Sequence, residues 1–239
     1  MQSTSRSDFK IGLLGGIGAR ASARFHASLV ERCACDPAVA QDEDFPTIVH
    51  WSGALAGFGP KGVIDEARLR KSLSDVVQLF RHARVNVLAP VCNSLHPYRQ
   101  WLEDALGVPV ISPVTCAARK VQALGFSSAL VLQSRGLAKQ GSYARELQAV
   151  GVHSVEVPPA LQDEVDRCIG ELIGGPACRT APLADLIRKY RPAGAAVVLG
   201  CTELVPGPAA PLWPQIDSSE TLVETLLTLT KHEHPQRTV

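Results

Sequence analysis

The chain has 239 residues, of which 46% are hydrophobic and 20% are charged, and its formal net charge is +1. This length is enough for one large domain or two small ones, each with a sizeable core. A charge near zero gives no electrostatic footprint for nucleic acid or an anionic membrane. No apolar run approaches the roughly 20 residues that span a bilayer, and the polar N-terminus does not resemble a signal peptide. The seven scattered cysteines, an odd number, disfavour a disulfide framework, so we expect a soluble, cytoplasmic protein with reduced thiols.

Short apolar runs alternate with helical patterns along the chain. The runs are typical of strands buried on both faces of a parallel sheet. The predicted strands are Lys10–Leu14, Thr47–Trp51, Val85–Ala89, Val108–Ser112, Ala129–Gln133, Ser154–Val157, Ala195–Leu199 and Gln215–Asp217. This alternation predicts an α/β fold with helices on both sides of its sheets. In such folds ligands bind beyond the carboxyl ends of the strands, so residues that follow strands are the candidates for chemistry.

Two parts of the chain share a weak internal repeat. Cys92–Pro97 and Cys201–Pro206 both follow the pattern C-x-x-L-x-P, each directly after an apolar strand. Upstream, Gly12–Gly18 resembles Leu130–Gly136, in each case a strand followed by a turn that contains glycine. We therefore expect two related α/β halves that face each other across a cleft, with the two cysteines opposite one another.

Cys92 and Cys201 are the first candidate functional residues. Free cysteine is usually a small buried hydrophobic residue, and that interpretation suits the cysteines in helical or loop patterns, Cys33, Cys116, Cys168 and Cys178. Cys92 and Cys201 differ because each is predicted at a strand-to-helix turn. Unpaired N–H groups at a helix start are expected to lower a thiol pKa and to bind a carboxylate. The polar residues suited to the first helical turns are Asn93, Ser94, Thr202 and Glu203.

Two thiols on opposite sides of one carbon acid suit a two-base reaction. One thiolate would remove the α-proton from one face, while the opposite thiol would donate a proton to the other face. Oriented donors must hold the substrate carboxylate as negative charge develops. A disulfide between the two cysteines is the competing interpretation, and a reducing compartment disfavours it.

The glycine-rich turn Gly15–Ala21 satisfies the dinucleotide fingerprint G-x-G-x-x-A between a predicted strand and helix. The second predicted strand, however, ends without the carboxylate that would hold a ribose. A turn that lets the backbone approach a small anionic ligand is therefore favoured. Cys33 and Cys35 have no second ligand pair at zinc-like spacing, so no metal site is predicted.

At these residues the chain resembles the aspartate/glutamate racemase superfamily of cofactor-independent, two-cysteine enzymes, over nearly its whole length. GLLGGIGARAS is similar to the family opening G-I-L-G-G-M-G-P-x-A-T, VCNSLHPY to A-C-N-T-A-H, and VVLGCTELVP to I-L-G-C-T-E-[IL]. Asp42–Pro46 stands where many members have D-Q-D-x-I-P, and Ser134–Gly136 with Tyr143 resembles a T-x-G-T…Y segment. The two cysteine motifs together are specific, whereas either alone would be weak.

The resemblance implies two lobes related by pseudo-twofold symmetry, each a short, mainly parallel sheet flanked by helices, with the active site in the cleft between them. The first lobe would comprise residues 1–113 and 207–239, and the second residues 114–206. The chain would return to the first lobe after Pro206, so that Thr221–Lys231 packs there.

The resemblance also implies the roles of individual residues. Cys92 and Cys201 would be the catalytic proton donors and acceptors. The substrate-binding residues would be Gly16, Ile17, Gly18, Asn93, Ser94, Ser134, Thr202 and Glu203. The enzyme would use no PLP, other cofactor or metal, would act on an amino acid or a small carboxylic acid, and would form a homodimer.

Three departures from the family pattern bear on the substrate. Aspartate-specific members carry an arginine in an I-P-D-R-T-like segment, whereas Ser52–Phe58 has none and Lys61 is the nearest cation. Leu137 replaces the second hydroxyl of T-x-G-T, and Cys168–Gly170 stands roughly where a lysine is often found. A side-chain carboxylate without a cation would be poorly bound. The sequence therefore predicts racemisation or epimerisation at an α-carbon and leaves an acidic, an uncharged or a larger amino acid open.

Two rival functions stay open on the sequence. The same scaffold could carry cis–trans isomerisation of a dicarboxylate or decarboxylation of a malonate-type acid, although decarboxylating relatives typically keep one cysteine. A non-catalytic homologue that uses the cleft as a ligand sensor is the other rival, and the absent basic residues motivate it.

Overall fold

The computed structural model of the protein describes residues 6–59, 62–175, 181–205 and 212–232. The strands are β1 (Lys10–Leu14), β2 (Thr47–Trp51), β3 (Phe58–Gly59), β4 (Gly62–Val63), β5 (Val87–Pro90), β6 (Ser128–Leu132), β7 (His153–Val155), β8 (Ala196–Leu199) and β9 (Gln215–Asp217). The α-helices are α1 (Ala19–Ala34), α2 (Glu66–Ala83), α3 (Arg99–Leu106), α4 (Pro113–Ala123), α5 (Arg135–Gln140), α6 (Ser142–Ala149), α7 (Pro159–Gly174), α8 (Ala181–Tyr190) and α9 (Ser218–His232). Short 3-10 helices lie at Arg6–Asp8, Asp42–Asp44 and Asn93–Tyr98.

Two parallel sheets organise the chain. The first has the strand order β2-β1-β5 and the second the order β7-β6-β8-β9, and every pairing within them is parallel. The arrangement β7-β6-β8 thus repeats β2-β1-β5: in each case the first strand along the chain is central, with the second on one side of it and the third on the other. β3 and β4 form a separate antiparallel pair. The predicted α/β fold with mainly parallel sheets flanked by helices is confirmed.

Helix α2 shows how the sequence builds the first half. The side chain of Asp65 accepts a hydrogen bond from the backbone N–H of Arg68 and so caps the start of the helix. The apolar side chains at helical spacing are all buried: Leu69, Leu73, Val76, Val77 and Phe80. Burial of this face against the first sheet stabilises the helix. No helix among the described residues is long and apolar enough to cross a membrane.

The predicted strand Val108–Ser112 is wrong. Only one parallel bridge, between Leu88 and Val110, forms there. Pro109 has no N–H to donate to a strand ladder, and Ser112 instead caps α4 by accepting from the backbone N–H of Val114. Sequence analysis also missed the hairpin of β3 and β4, whose strands have two residues each.

The C-terminal part of the chain connects the two halves. Strand β9 pairs with β8 in the second sheet, although residues 207–239 were expected in the first lobe. Helix α9 begins at the next residue, Ser218, and its buried Leu222, Val223 and Leu226 share a core cluster with Ile11 of β1. The chain therefore returns to the first half after Asp217, and Pro206 lies outside the described residues.

The turn after β1 requires glycine at two positions. Gly16 and Gly18 have φ of 86° and 81°, in the left-handed region that side chains rarely adopt. A Cβ at Gly16 would overlap the backbone of Gly53, and a Cβ at Gly18 would overlap Oε1 of Glu203 in the other half. The missing side chains let this turn lie against both the loop after β2 and the loop after β8.

Replacing Gly16 by alanine should therefore destabilise the protein more than the same change in a turn where an added Cβ contacts no other atoms. Gly125 has a similar φ of 79°, but an added Cβ there meets nothing within 4 Å. We expect Gly125→Ala to lower the free energy of unfolding by about 1 kcal/mol, and Gly16→Ala by about 3 kcal/mol, because backbone overlap adds to the strain. Urea denaturation measures both, and equal losses would contradict the close packing of this turn.

Candidate active site

Cys92 lies two residues after β5 and is the N-terminal cap of the 3-10 helix Asn93–Tyr98. The backbone N–H groups of Ser94 and Leu95 and the Ser94 hydroxyl lie beside its sulfur, where they favour the thiolate. The side chain is 8% exposed. The predicted position of this thiol, at the end of a strand and the start of a helix, is confirmed.

Cys201 lies two residues after β8, in a turn closed by a 3.0 Å hydrogen bond from the Leu204 N–H to the Cys201 carbonyl. The backbone N–H groups of Glu203 and Leu204 lie beside its sulfur and favour the thiolate, as the N–H groups of Ser94 and Leu95 do at Cys92. The two thiols thus have matching environments. The predicted helix start is not seen at Cys201, because residues 201–205 form a turn and an irregular segment and residues 206–211 lie outside the described part.

Both cysteines line one cavity of about 210 Å³ between the two halves. The other predicted site residues that line it are Gly16, Ile17, Gly18, Ser94, Ser134, Thr202 and Glu203. Both thiols are free, so no disulfide joins Cys92 and Cys201. The fold therefore brings residues that are more than 100 positions apart in the chain to one small space.

Asn93 is the predicted site residue that does not line the cavity. It is 2% exposed, and its amide is engaged within the protein. The Tyr143 hydroxyl donates to Asn93 Oδ1 at 2.8 Å, and Asn93 Nδ2 donates to Ser218 Oγ at 3.1 Å. Asn93 therefore connects the end of β5 with α6 and α9, and the expected contact with a substrate carboxylate is not supported by this geometry.

Glu203 is a buried charge with one oxygen paired and one free. Arg24 of α1 donates to Glu203 Oε2 at 3.3 Å and to the Thr202 carbonyl at 3.1 Å. Glu203 Oε1 is buried beside Gly18 and has no hydrogen-bond partner within the described part of the chain. Glu203 lines the cavity, and a buried carboxylate oxygen without a partner among the described residues is an acceptor that lacks its donor.

The sequence-based expectation of a lowered thiol pKa is wrong for this structure. Burial raises the pKa of Cys92 to about 11 and that of Cys201 to about 12, because the thiolate loses its hydration. The backbone N–H groups beside each sulfur lower the pKa values but do not offset burial. The charge of Glu203 raises both pKa values further, and an ionised Cys92 raises that of Cys201. The pair therefore resists carrying two negative charges at once.

These pKa values predict slow alkylation of both thiols at neutral pH. A thiolate forms only as pH rises towards the pKa, so iodoacetamide should modify Cys92 and Cys201 about tenfold faster per pH unit between pH 7 and 10. Peptide mapping by mass spectrometry gives the rate at each cysteine, with N-acetylcysteine as the reference thiol. A rate that levels off below pH 8.5 would contradict the raised pKa values.

Removing Arg24 should leave the Glu203 carboxylate buried without its ion pair. We expect Arg24→Met to lower the free energy of unfolding by about 2 kcal/mol. Arg32→Met is the matched control on the same helix: Arg32 is 46% exposed, against 42% for Arg24, but its partners Glu220 and Glu224 are each 41% exposed. That loss should be no more than about 0.5 kcal/mol. Thermal or urea unfolding compares the two, and similar losses would contradict a structural role for the Arg24–Glu203 pair.

Sequence analysis missed the apolar part of the cavity. Ala54, Leu55 and Phe58 after β2 line it together with Ile169 and Ile173 of α7. The spacing of four residues between Ile169 and Ile173 places them on one face of a helix, but that pattern also describes an ordinary core face. Among the described residues, no group of three or more His, Cys, Asp or Glu side chains lies close enough to hold a metal ion.

Each sheet has a buried thiol after one of its strands, and both thiols line one cavity. This arrangement defines the class of two-lobed α/β proteins with a small-molecule cleft. The family model of the Asp/Glu/hydantoin racemases matches residues 14–226. The chain belongs to this family, and the family supports a racemase function.

Similar proteins agree with this assignment. The broad specificity amino-acid racemase RacX of Bacillus subtilis is 22% identical over 163 residues, which cover 68% of this chain and 69% of that protein. An aspartate racemase homologue from Pyrococcus horikoshii OT3 has a TM-score of 0.76 at 22% identity and covers 93% of this chain and 99% of its own. The Picrophilus torridus aspartate racemase has a TM-score of 0.76 at 18% identity, and the match covers 93% of this chain and 94% of that one. At these identities the structures show a shared two-lobed fold.

Proposed function

We propose that the protein is a cofactor-independent amino-acid racemase that moves protons at the substrate α-carbon with Cys92 and Cys201. One observation carries the proposal: Cys92 and Cys201 line a single cavity from opposite halves, and two backbone N–H groups beside each sulfur favour its thiolate. A pair of thiols in matching environments suits a reaction that runs equally well in both directions.

The proton transfer requires one thiolate and one thiol. The thiolate forms an S–H bond with the α-proton, and the electron pair of the C–H bond stays on the α-carbon and delocalises into the carboxylate. The opposite thiol then gives its proton to the other face of the carbon and becomes the thiolate. Product release leaves the two cysteines with exchanged protonation states, ready for the reverse enantiomer.

The other cavity residues suit the two polar groups of an amino acid. The hydroxyls of Ser94, Ser134 and Thr202 line the cavity and can donate to a substrate carboxylate as charge develops on it. Glu203 Oε1, buried and unpaired within the described residues, can accept from the α-ammonium. These contacts would fix the α-carbon between the sulfur atoms, where orientation contributes strongly to the rate.

The relatives support an amino acid as the substrate. RacX is named a broad specificity amino-acid racemase, and solved structures with the same fold are named aspartate and glutamate racemases. The homodimer and the cytoplasmic location stay predictions.

Replacing either cysteine should abolish racemisation. We expect Cys92→Ala and Cys201→Ala each to lower turnover by at least about 10³-fold, because each removes one of two general acid–base groups. Cys116→Ala is the matched control, since Cys116 is also 8% exposed but does not line the cavity. Chiral chromatography of single-enantiomer amino acids measures turnover.

Solvent deuterium exchange distinguishes the two thiols. Each single variant should still exchange the α-proton of one enantiomer, and the two variants should prefer opposite enantiomers, because each retains the base on one face. Full turnover in both variants would refute the two-base assignment. Loss of CO2 from a malonate-type acid would instead indicate the decarboxylase, and binding without exchange a ligand sensor.

A further inference from the structure

The cavity has two chemically different ends, and the sheet topology sets their positions. The order β2-β1-β5 in the first sheet matches β7-β6-β8 in the second. The thiols follow β5 and β8, and the turns with Gly16–Gly18 and Ser134 follow the central strands β1 and β6. The remaining lining comes from the segment after β2 and from α7, which follows β7, so it lies on the side of the cavity away from the thiols.

That second end is apolar and contributed by both halves. Leu55 is 4% exposed and packs in the core cluster of α2, and Ile169 is 6% exposed and packs in the core of the second sheet. Phe58 and Ile173 complete the lining. Ile173 is 44% exposed, so a large apolar side chain at the cavity remains open to contact. Two walls anchored in separate cores form a preformed apolar compartment.

The charges near the cavity disfavour a second carboxylate on the substrate. Among the described residues that line it, none is a lysine, arginine or histidine, and the only charged one is Glu203. The nearby Arg24 and Arg20 do not line the cavity: Arg24 pairs with Glu203, and Arg20 is exposed and donates to the Leu172 carbonyl at 3.4 Å. An acidic side chain placed here would lose its hydration without a counter-ion among the described lining residues. Lys61 lies outside the described residues.

From these observations we infer that the substrate is an amino acid with an uncharged, apolar side chain of about the size of leucine or methionine. Leu55, Phe58, Ile169 and Ile173 determine this specificity by contacting the side chain. The inference rests on the proposed function, since it assigns the side-chain end of the same cavity whose other end carries the thiols.

A substrate panel tests the side-chain class. Purified protein is incubated in deuterium oxide with single enantiomers of leucine, methionine, alanine, aspartate and glutamate, and α-deuteration and inversion are followed by mass spectrometry and chiral chromatography. Leucine or methionine should have a kcat/KM about tenfold or more above alanine, since each buried methylene adds discrimination. Aspartate and glutamate should be lower than leucine by about 100-fold or more, because their carboxylate has no partner.

Introducing a cation at the apolar end should shift this preference. Ile173→Arg places a guanidinium at the mouth of the compartment, and Ala54→Arg is a second variant at an exposed lining position of the other half. Leu79→Arg is the matched control, because Leu79 is 43% exposed but lies on α2 away from the cavity. We expect the aspartate-to-leucine ratio of kcat/KM to rise at least about tenfold in the cavity variants and to stay unchanged in the control.

The outcomes separate this inference from the proposed function. Preference for leucine or methionine, with a shifted ratio in either folded cavity variant, supports it. Preference of the unmodified protein for aspartate or glutamate, or a ratio that no cavity variant changes, overturns the inference and leaves two-thiol racemisation standing. Absence of exchange with every amino acid overturns the proposed function and, with it, this assignment.

Discussion

The constraint on which the site depends is the burial of two thiols and one carboxylate in the same small cavity. Each group is more stable with its charge in water, so burial raises the pKa of Cys92 and Cys201, and Glu203 raises them further. Mutual repulsion means that the site accepts one thiolate far more readily than two. The proposed two-base proton transfer would need this single-thiolate state, because one sulfur must hold a proton while the other takes one.

The fold meets this constraint with backbone groups rather than with cations. Parallel strands end at the same edge of each sheet, and the N–H groups two and three residues after each cysteine are directed at its sulfur. Arg24 neutralises part of Glu203 from outside the cavity lining. The two halves are joined by a buried network in which Asn93 bonds Tyr143 and Ser218, so residues from three elements fix the cavity wall on which Cys92 lies.

The sequence predicted the features that local patterns encode. Apolar runs identified most strands, and the cysteines at the ends of two of them were placed correctly, because a buried parallel strand leaves a clear pattern. Val108–Ser112 was predicted as a strand from its apolar pattern, which does not show that Pro109 lacks the N–H needed for a hydrogen-bond ladder. The location of β9, the inward amide of Asn93 and the raised thiol pKa values depend on contacts between distant segments. Local spacing carries no information about such contacts.

With these raised pKa values the two thiols are mostly neutral at pH 7. Under the proposed function, binding of the amino acid must therefore favour the thiolate form of one of them. Its ammonium would meet Glu203, whose Oε1 has no partner among the described residues, and offset the negative charge that adds to the effect of burial on both thiol pKa values. An apolar side chain adds no charge at the other end of the cavity, whereas a second carboxylate would restore the repulsion that the ammonium removes. Under the proposed function, a substrate that places its ammonium beside Glu203 and adds no negative charge near the apolar wall therefore favours a thiolate more than an acidic amino acid does.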